Sequence, residues 1–474
     1  MKKTFYISTA LPYVNSAPHL GFALEAIQAD VTARYHRLLK KDAFFLTGTD
    51  EHGAKVAKAA EEAGKTPAEF SDEISGKFKA LKEALNLSND DFIRTTDQKR
   101  HWPAVEKAWL KLVNNGDIYL KKYKGLYCAG CEAFITKKDL INGECVIHRI
   151  KPEIIEEENY FFKLSKYSQK IQKAIETDEI RIIPESRKNE VLGFIKQGLE
   201  DISFSRPRKD LKWGIPVPGD DSQTIYVWAD ALINYISAIG YSDESEKFRK
   251  YWPAEIHFIG KDILRFHAVF WPAMLLSLGL QLPKNIFVHG FITVGGQKMS
   301  KSLGNIIDPF ELVEKYGADA VRLFLLREIS PVEDGDFTLE KIKTRYNADL
   351  ANGLGNFVAR ISALRAELPE SSLLKVEKNI NEEIVKTKKA VAQKIEEFKF
   401  NEALAAIWDL ISFGDKYINQ TQPWKISESK TKIQIISNLA ALLNSVADIL
   451  IPFLPETSAK ISQLKKGEIL FPRR

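Results

Sequence analysis

The chain is poor in cysteine. Only three of its 474 residues are Cys, and all three fall in one short stretch. It also lacks any long low-complexity tract, and no convincing internal repeat was found, which sets aside disordered and solenoid architectures. No membrane-length apolar run stands out. The charge-free run Ala268–Leu282 is interrupted by Pro272 and Ser277 and falls short of the ~20 residues a span needs. The opening Met1-Lys2-Lys3-Thr4 is basic, but Thr4, Ser8 and Thr9 and then Pro12 break what would be a signal-peptide core, so a buried first strand is expected. Excess charge is small, +5, which permits an anionic partner without demanding one. A cytoplasmic protein that does not enter a membrane is expected. At ~150 residues per domain, the length suggests about three domains.

What is present is patterned. Phe5–Ala10 reads as a strand, Ala23–Leu39 as a helix with Leu24, Ile27, Val31, Tyr35 and Leu38 on one face, and Phe44–Leu46 as a second strand. Strand, helix, strand predicts a right-handed βαβ unit. From about Tyr119 to Pro218 the pattern shifts to short strands and turns. Alternation then resumes, with strands at Thr224–Val227, Ile256–Ile259 and Ile286–Val288 and helices from Asp230 and Ile263. The chain therefore predicts one α/β domain interrupted by an inserted module. Beyond about Lys341 it predicts an all-α bundle broken near Pro423 and Pro452. In parallel α/β sheets ligands bind at the carboxyl ends of strands, so residues 10–21, 47–53, 228–230, 260–267 and 289–302 are the places to search.

The cysteines form Cys128-x-x-Cys131 and Cys145-x-x-His148, two knuckles separated by thirteen residues. Four such ligands suit tetrahedral Zn²⁺ and leave no open position, so a structural metal is expected. The neighbouring Lys121, Lys122, Lys124, Lys137 and Lys138 suit nucleic acid or, equally, a solvated face.

Two further pieces carry chemistry. Asn15-Ser16-Ala17-Pro18-His19-Leu20-Gly21 leads from the first strand into the first helix, where free N–H groups and the dipole favour phosphate. Gly295-Gly296-Gln297-Lys298-Met299-Ser300-Lys301-Ser302 sets two lysines in a glycine-rich loop, a cationic clamp for a departing pyrophosphate. Each alone is weak.

Together, His-Leu-Gly after the first strand and Lys-Met-Ser-Lys-Ser after the last resemble the paired signature of class I aminoacyl-tRNA synthetases. Thr47-Gly-Thr-Asp-Glu-His-Gly53, Tyr226-Val-Trp-Ala-Asp230, Phe258-Ile-Gly-Lys-Asp262, Phe270-Trp-Pro272 and Val288-His-Gly290 look like the methionyl-tRNA synthetase family, as does the single Cys₃His knuckle. The resemblance covers some nine-tenths of the chain. It implies a Rossmann-type parallel sheet with an inserted zinc-knuckle module, followed by a helical anticodon-binding bundle. The expected division is 1–117 and 221–292 for the two halves of the catalytic domain, 118–220 for the insert, 293–345 for the signature loop and stem-contact region, and 346–474 for the bundle.

The resemblance also implies roles. Ala10, Leu11, Tyr13, Trp228, Tyr235, Phe266 and His267 match the methionine pocket, whose aromatic walls suit a thioether, and Asp50 matches the residue that holds the ammonium group. His19, Gly21, Glu25, Gly260, Asp262 and His289 match the ATP site, and Lys298 and Lys301 the pyrophosphate clamp. Asn356, Arg360 and Trp424 match the readers of the anticodon, with the first two four apart on one helix face. Structural Zn²⁺, Mg²⁺ with ATP, L-methionine and tRNA(Met) are the implied cofactors and partners. The missing C-terminal dimerisation domain of some relatives implies a monomer.

One departure stands out. The family motif carries a second histidine at its fourth position, and here that residue is Phe22, which cannot donate a hydrogen bond. A silent tRNA-binding relative would share this fold, with Phe22 in its favour and Lys298, Lys301, Asp50 and Trp228 against it. A synthetase for leucine, isoleucine or valine would need a large editing insertion. The insert here, about a hundred residues, is taken up by the knuckle and its strands.

Overall fold

The computed structural model describes residues 3–130, 133–135, 139–146, 149–299, 304–366, 368–369, 372–461, 463 and 468–474. Six strands form one parallel sheet: β1 (Thr4–Thr9), β2 (Asp42–Thr49), β3 (Asp91–Arg94), β4 (Arg181–Ile183), β5 (Ile256–Gly260) and β6 (Asn285–His289). Their order is β3-β2-β1-β5-β6-β4, every pair parallel. Near-continuous apolar runs such as Ile256–Gly260 are what a sheet covered on both faces demands. Chain order runs outward from β1 to β3 and, after the edge strand β4, resumes beside β1 at β5. In parallel sheets such a switch point, at the carboxyl ends of β1 and β5, is where ligands bind.

The chain divides into two compact units. The first comprises Met1–Pro18, Lys41–Ala80 and Asn89–His289 and contains the sheet. The second comprises His19–Lys40, Leu81–Ser88 and Gly290–Arg474. Helix α1 (Leu20–Leu38) thus joins β1 to β2 along the chain but belongs to the second unit. It is not the one-faced helix its spacing predicts. Ala23 to Ala33 are buried without a break, including Glu25, Gln28 and Asp30, whereas Leu38 is exposed. Asp30 is tolerated because Arg322 and Arg34 reach it at 2.7 and 2.8 Å and Ser88 donates to it.

Between the halves of the sheet, strands Ile118–Cys128 and Glu153–Phe162 form a long antiparallel ribbon. Lys122 faces Glu158 across it, and Lys124 pairs with Glu156 at 3.3 Å. Those two lysines therefore meet an acidic neighbouring strand, which favours the solvated-face alternative over a nucleic-acid surface. Lys137 and Lys138 lie outside the described residues. The region 118–220 also supplies β4 to the parallel sheet, a short strand that its length concealed.

Two expected elements differ. The strand predicted at Thr224–Val227 is Asp220–Ile225, in a small antiparallel sheet with Ser205–Pro207 and Pro216–Val217. Val227 already begins a one-turn helix, Val227–Ala231, since its apolar residues are buried whichever element they adopt. The helix predicted from Ile263 is a 3₁₀ turn, then a π-helical turn at Phe266–Phe270, then an α-helix at Trp271–Leu278. Wide turns of this kind often occur at functional positions.

The second unit ends in helices α2 (Asn356–Arg365), α3 (Lys378–Glu396), α4 (Phe400–Thr421) and α5 (Ser429–Leu450). Breaks fall at Pro423 and Pro452 as expected. Helix α5 is long and apolar enough to cross a membrane, but two-thirds of its apolar window is buried inside the protein.

Candidate active site

In the first unit the loops after β1 and β2 are zipped together. Tyr13 and Asp50 form a parallel bridge, the Asp50 N–H donates to Pro12 O at 2.9 Å, and the Val14 N–H donates to Asp50 O at 3.1 Å. Ala10 is held by its N–H on Phe258 O at 2.9 Å. These bonds bring Ala10, Leu11, Tyr13 and Asp50 to the carboxyl edge of β1 and β2. Asp50 is buried, with the Thr95 hydroxyl 3.5 Å from its Oδ1. A buried carboxylate is an acceptor for a cation such as an ammonium group.

Aromatic rings gather beside it. Trp228 and Phe266 stack at 3.7 Å and 7°, and Tyr13 meets Trp228 edge-on at 6.2 Å. The Tyr235 hydroxyl donates to His267 Nε2 at 2.7 Å, so His267 carries its hydrogen on Nδ1 and donates to Ile263 O at 3.0 Å. Burial lowers the His267 pKa to about 4, which keeps the ring neutral at working pH. The π-helical turn begins with Phe266 and His267. Five predicted pocket residues from four chain segments are therefore in one contact chain.

Gly260, Asp262 and His289 converge at the ends of β5 and β6. Gly260 is in register with His289, and a Cβ on Gly260 would lie 2.9 Å from Asp262 Oδ1 and 3.7 Å from the His289 ring. The missing side chain keeps that backbone open to a ligand.

In the second unit His19 is the N-cap of α1. Its Nδ1 accepts from the Gly21 N–H at 3.0 Å, which places the ring hydrogen on Nε2, the nitrogen that can donate to a phosphate oxygen. A Cβ on Gly21 would lie 2.9 Å from the His19 ring and 3.8 Å from Met299 Cε. The Leu20 N–H also bonds Ile307 O at 3.2 Å. The two signature segments, far apart in sequence, therefore meet at the start of α1. Glu25 is buried on the same helix and Phe22 half-buried.

Gly295 and Gly296, at φ 61° and 73°, form the turn of a hairpin whose strands are Ile292–Val294 and Gln297–Lys298. Positive φ at both positions is what a two-residue hairpin turn needs. Asp336 fixes the turn by accepting from the Gly296 N–H and the Thr293 hydroxyl, each at 2.8 Å; these bonds hold its carboxyl below the ordinary range. The Lys298 backbone is in register with Thr293. Lys301 lies outside the described residues.

On the bundle, Asn356 is exposed, and Arg360 is held by Asp415 at 2.9 Å and Asn419 at 2.6 Å. Trp424 is 55% exposed on the short turn Pro423–Lys425, so its ring is a surface platform rather than a core staple. Cys128 and Cys145 are both buried, in one small cluster with Ile135. Cys131 and His148 lie outside the described residues. Among the described residues no group of three metal-ligating side chains forms.

Sequence reasoning missed one cluster, in which buried Asp230 accepts from both His52 and His101. A carboxylate inside the apolar segment Tyr226–Ala231 was the available signal.

Residues 5–138 and 128–362 match the family described as tRNA synthetases class I (M), and residues 377–472 match the anticodon-binding domain of tRNA ligase. The methionine--tRNA ligase of Caldanaerobacter subterraneus subsp. tengcongensis is 43% identical over the whole chain and 79% of its own length. That of Thermotoga maritima is 45% identical over 96% of the chain and 74% of its length. Mycobacterium tuberculosis methionyl-tRNA synthetase in complex with methionyl-adenylate superposes with a TM-score of 0.93 at 39% identity, covering 99% of this chain and all of that one. The matches span both units, and the chain belongs to the methionine--tRNA ligase family of class I tRNA synthetases.

Proposed function

We infer that the chain ligates L-methionine to tRNA(Met) at the expense of ATP, through a methionyl-adenylate. The observation that carries this is the convergence of the pocket rings and buried Asp50 at the sheet's carboxyl edge, in a chain matching methionine--tRNA ligases along its whole length.

The methionine carboxylate is already ionised at neutral pH and attacks the α-phosphate of ATP without a protein base. Catalysis is then positioning and charge stabilisation. Asp50 takes the ammonium group. Trp228, Phe266, Tyr13, Tyr235 and His267 wall the thioether, with Ala10 and Leu11 at its side. Neutral His267, donating from Nδ1 to backbone, holds the Tyr235 hydroxyl in place. Gly260, Asp262 and His289 serve the nucleoside, and His19, Gly21 and Glu25 serve the phosphates. Lys298 and Lys301 neutralise the departing pyrophosphate. Mg²⁺ bound with ATP supplies further positive charge on those phosphate oxygens. The terminal ribose hydroxyl of the tRNA then attacks the adenylate, and AMP leaves. Asn356, Arg360 and Trp424 contact the anticodon; an exposed Trp is a stacking platform worth about 1–3 kcal/mol per base. Charging of tRNA for translation places the activity in the cytoplasm.

The donor set Cys128, Cys131, Cys145 and His148 suits structural zinc. Supporting this, Cys128 and Cys145 are buried in one cluster at the ends of separate strands, two soft ligands brought from the two knuckles. Metal analysis of the purified protein is expected to give one zinc per chain, falling below half in Cys145→Ser.

The deciding experiment is amino-acid-dependent ATP–pyrophosphate exchange over a panel of amino acids without tRNA. Exchange with methionine alone is expected. Exchange with a different amino acid would overturn the pocket assignment. No exchange with any would leave a tRNA-binding protein, with Phe22 the first residue to revert.

A further inference from the structure

Asp230 accepts a hydrogen bond from His52 Nδ1 at 2.6 Å and another from His101 Nε2 at 2.7 Å. All three side chains are buried, at 0%, 2% and 0% exposure in that order. Both histidines must donate, so His52 carries its hydrogen on Nδ1 and His101 on Nε2. His101 Nδ1 is then an acceptor for the Ser237 hydroxyl at 2.9 Å. The His52 ring is walled by Trp102 at 6.0 Å and Trp213 at 5.5 Å.

The placement of these residues is informative. His52 is two residues beyond Asp50. Asp230 is two residues beyond Trp228, on the same one-turn helix. Ser237 is two residues beyond Tyr235. Each arm of the cluster thus ends next to a pocket residue. A buried carboxylate ringed by histidines adds little stability over a well-packed apolar core, and its best-attested use is to fix one geometry.

We propose that Asp230 is a positioning residue for amino-acid selection. Through His52 and His101 it sets the separation between Asp50, at the ammonium end, and the Trp228–Phe266 stack, at the thioether end, and so the side-chain length accepted. This rests on the methionine-activating function above. An asparagine at 230 offers one acceptor and turns an N–H₂ toward a histidine N–H, which breaks one arm without changing volume.

The test is pyrophosphate exchange with L-methionine and with L-ethionine, one methylene longer, for wild type, Asp230→Asn and Ser237→Ala. Asp230→Asn should raise the KM for methionine about tenfold and leave the KM for ATP within about twofold. It should also narrow the methionine-to-ethionine ratio of kcat/KM at least fivefold, out of the ~10–200-fold that one methylene is worth. Ser237→Ala, which removes the hydroxyl that bonds His101 Nδ1 and lies 3.3 Å from Asn234 O, should narrow the ratio at least twofold. Wild type silent with methionine would defeat the function itself. Active wild type with folded variants at an unchanged ratio would defeat the positioning role alone. Should Asp230→Asn fail to fold, Ser237→Ala decides on the same criterion.

Discussion

The His19 ring commits its Nδ1 lone pair to the Gly21 N–H and keeps Nε2–H as a donor. Capping and the proposed phosphate contact are therefore separable by substitution. Asparagine caps helices about as well as any residue, so His19→Asn should keep the melting temperature within about 2 °C while lowering kcat/KM for ATP at least tenfold. His19→Ala should lose both, with the cap worth about 1 kcal/mol. A large fall in melting temperature for His19→Asn would mean the ring is mainly structural. His267 gives a second prediction. Its folded-state value, about 4, lies below the ~6.5 of a free imidazole, because burial disfavours the charged ring. His257, also buried, is shifted the same way by its burial. As pH falls the unfolded chain takes up these protons first, so their contribution is intact above pH ~6.5 and is lost progressively below it, for His267 toward pH ~4. Thermal melts between pH 7.5 and 5 should show a declining midpoint, less steep in His267→Gln. A flat profile would count against buried neutral imidazoles. At this scale the sequence was informative where motif residues are contiguous, as in Thr47–Gly53. It was silent on His101, which lies 129 positions from its partner Asp230.

Among the elements, the hairpin that carries Lys298 depends on two positive-φ glycines and one carboxylate. Valine at 296 cannot adopt φ near 73° without strain. Gly296→Val should therefore slow methionine activation at least tenfold with little change in the KM for methionine, since the proposed clamp and not the proposed pocket is displaced. Equal loss in both would locate the hairpin's role elsewhere. The glycines were visible as a flexible loop, but the third strand that backs the hairpin, Gly335–Phe337 parallel to Ile292–Val294, is distant in sequence and joins it only in the fold. The one-turn helix Val227–Ala231 shows the converse limit. Apolar residues buried on every side carry no period that tells strand from helix.

For the whole molecule, the α/β half and the helical half were both legible, because periodicity changes sharply near Lys341. The ownership of α1 was not. Spacing assigns it to the strands it connects, but its buried polar groups find their partners in the second unit: Arg322 for Asp30, and Pro331 O for Gln28. In the same unit, Trp424→Ala should weaken tRNA aminoacylation at least tenfold and leave pyrophosphate exchange unchanged, since more than half of that side chain is exposed and little packing is lost. Loss of exchange as well would indicate a folding role.

The buried Arg322 bears on how this enzyme can be cut. Its guanidinium reaches Asp30 on α1 and the carbonyl oxygens of Leu85, Pro452 and Phe453 in a single cluster. A gene truncated after His289 would keep every strand of the sheet and still encode α1, now with Asp30 deprived of Arg322 and Gln28 of Pro331 O. Such a fragment would be a poor starting point for a minimal activating enzyme or a swapped-domain chimera. The natural seam for engineering does not follow the order of the chain, and any graft that exchanges the bundle must carry the helix of His19 with it.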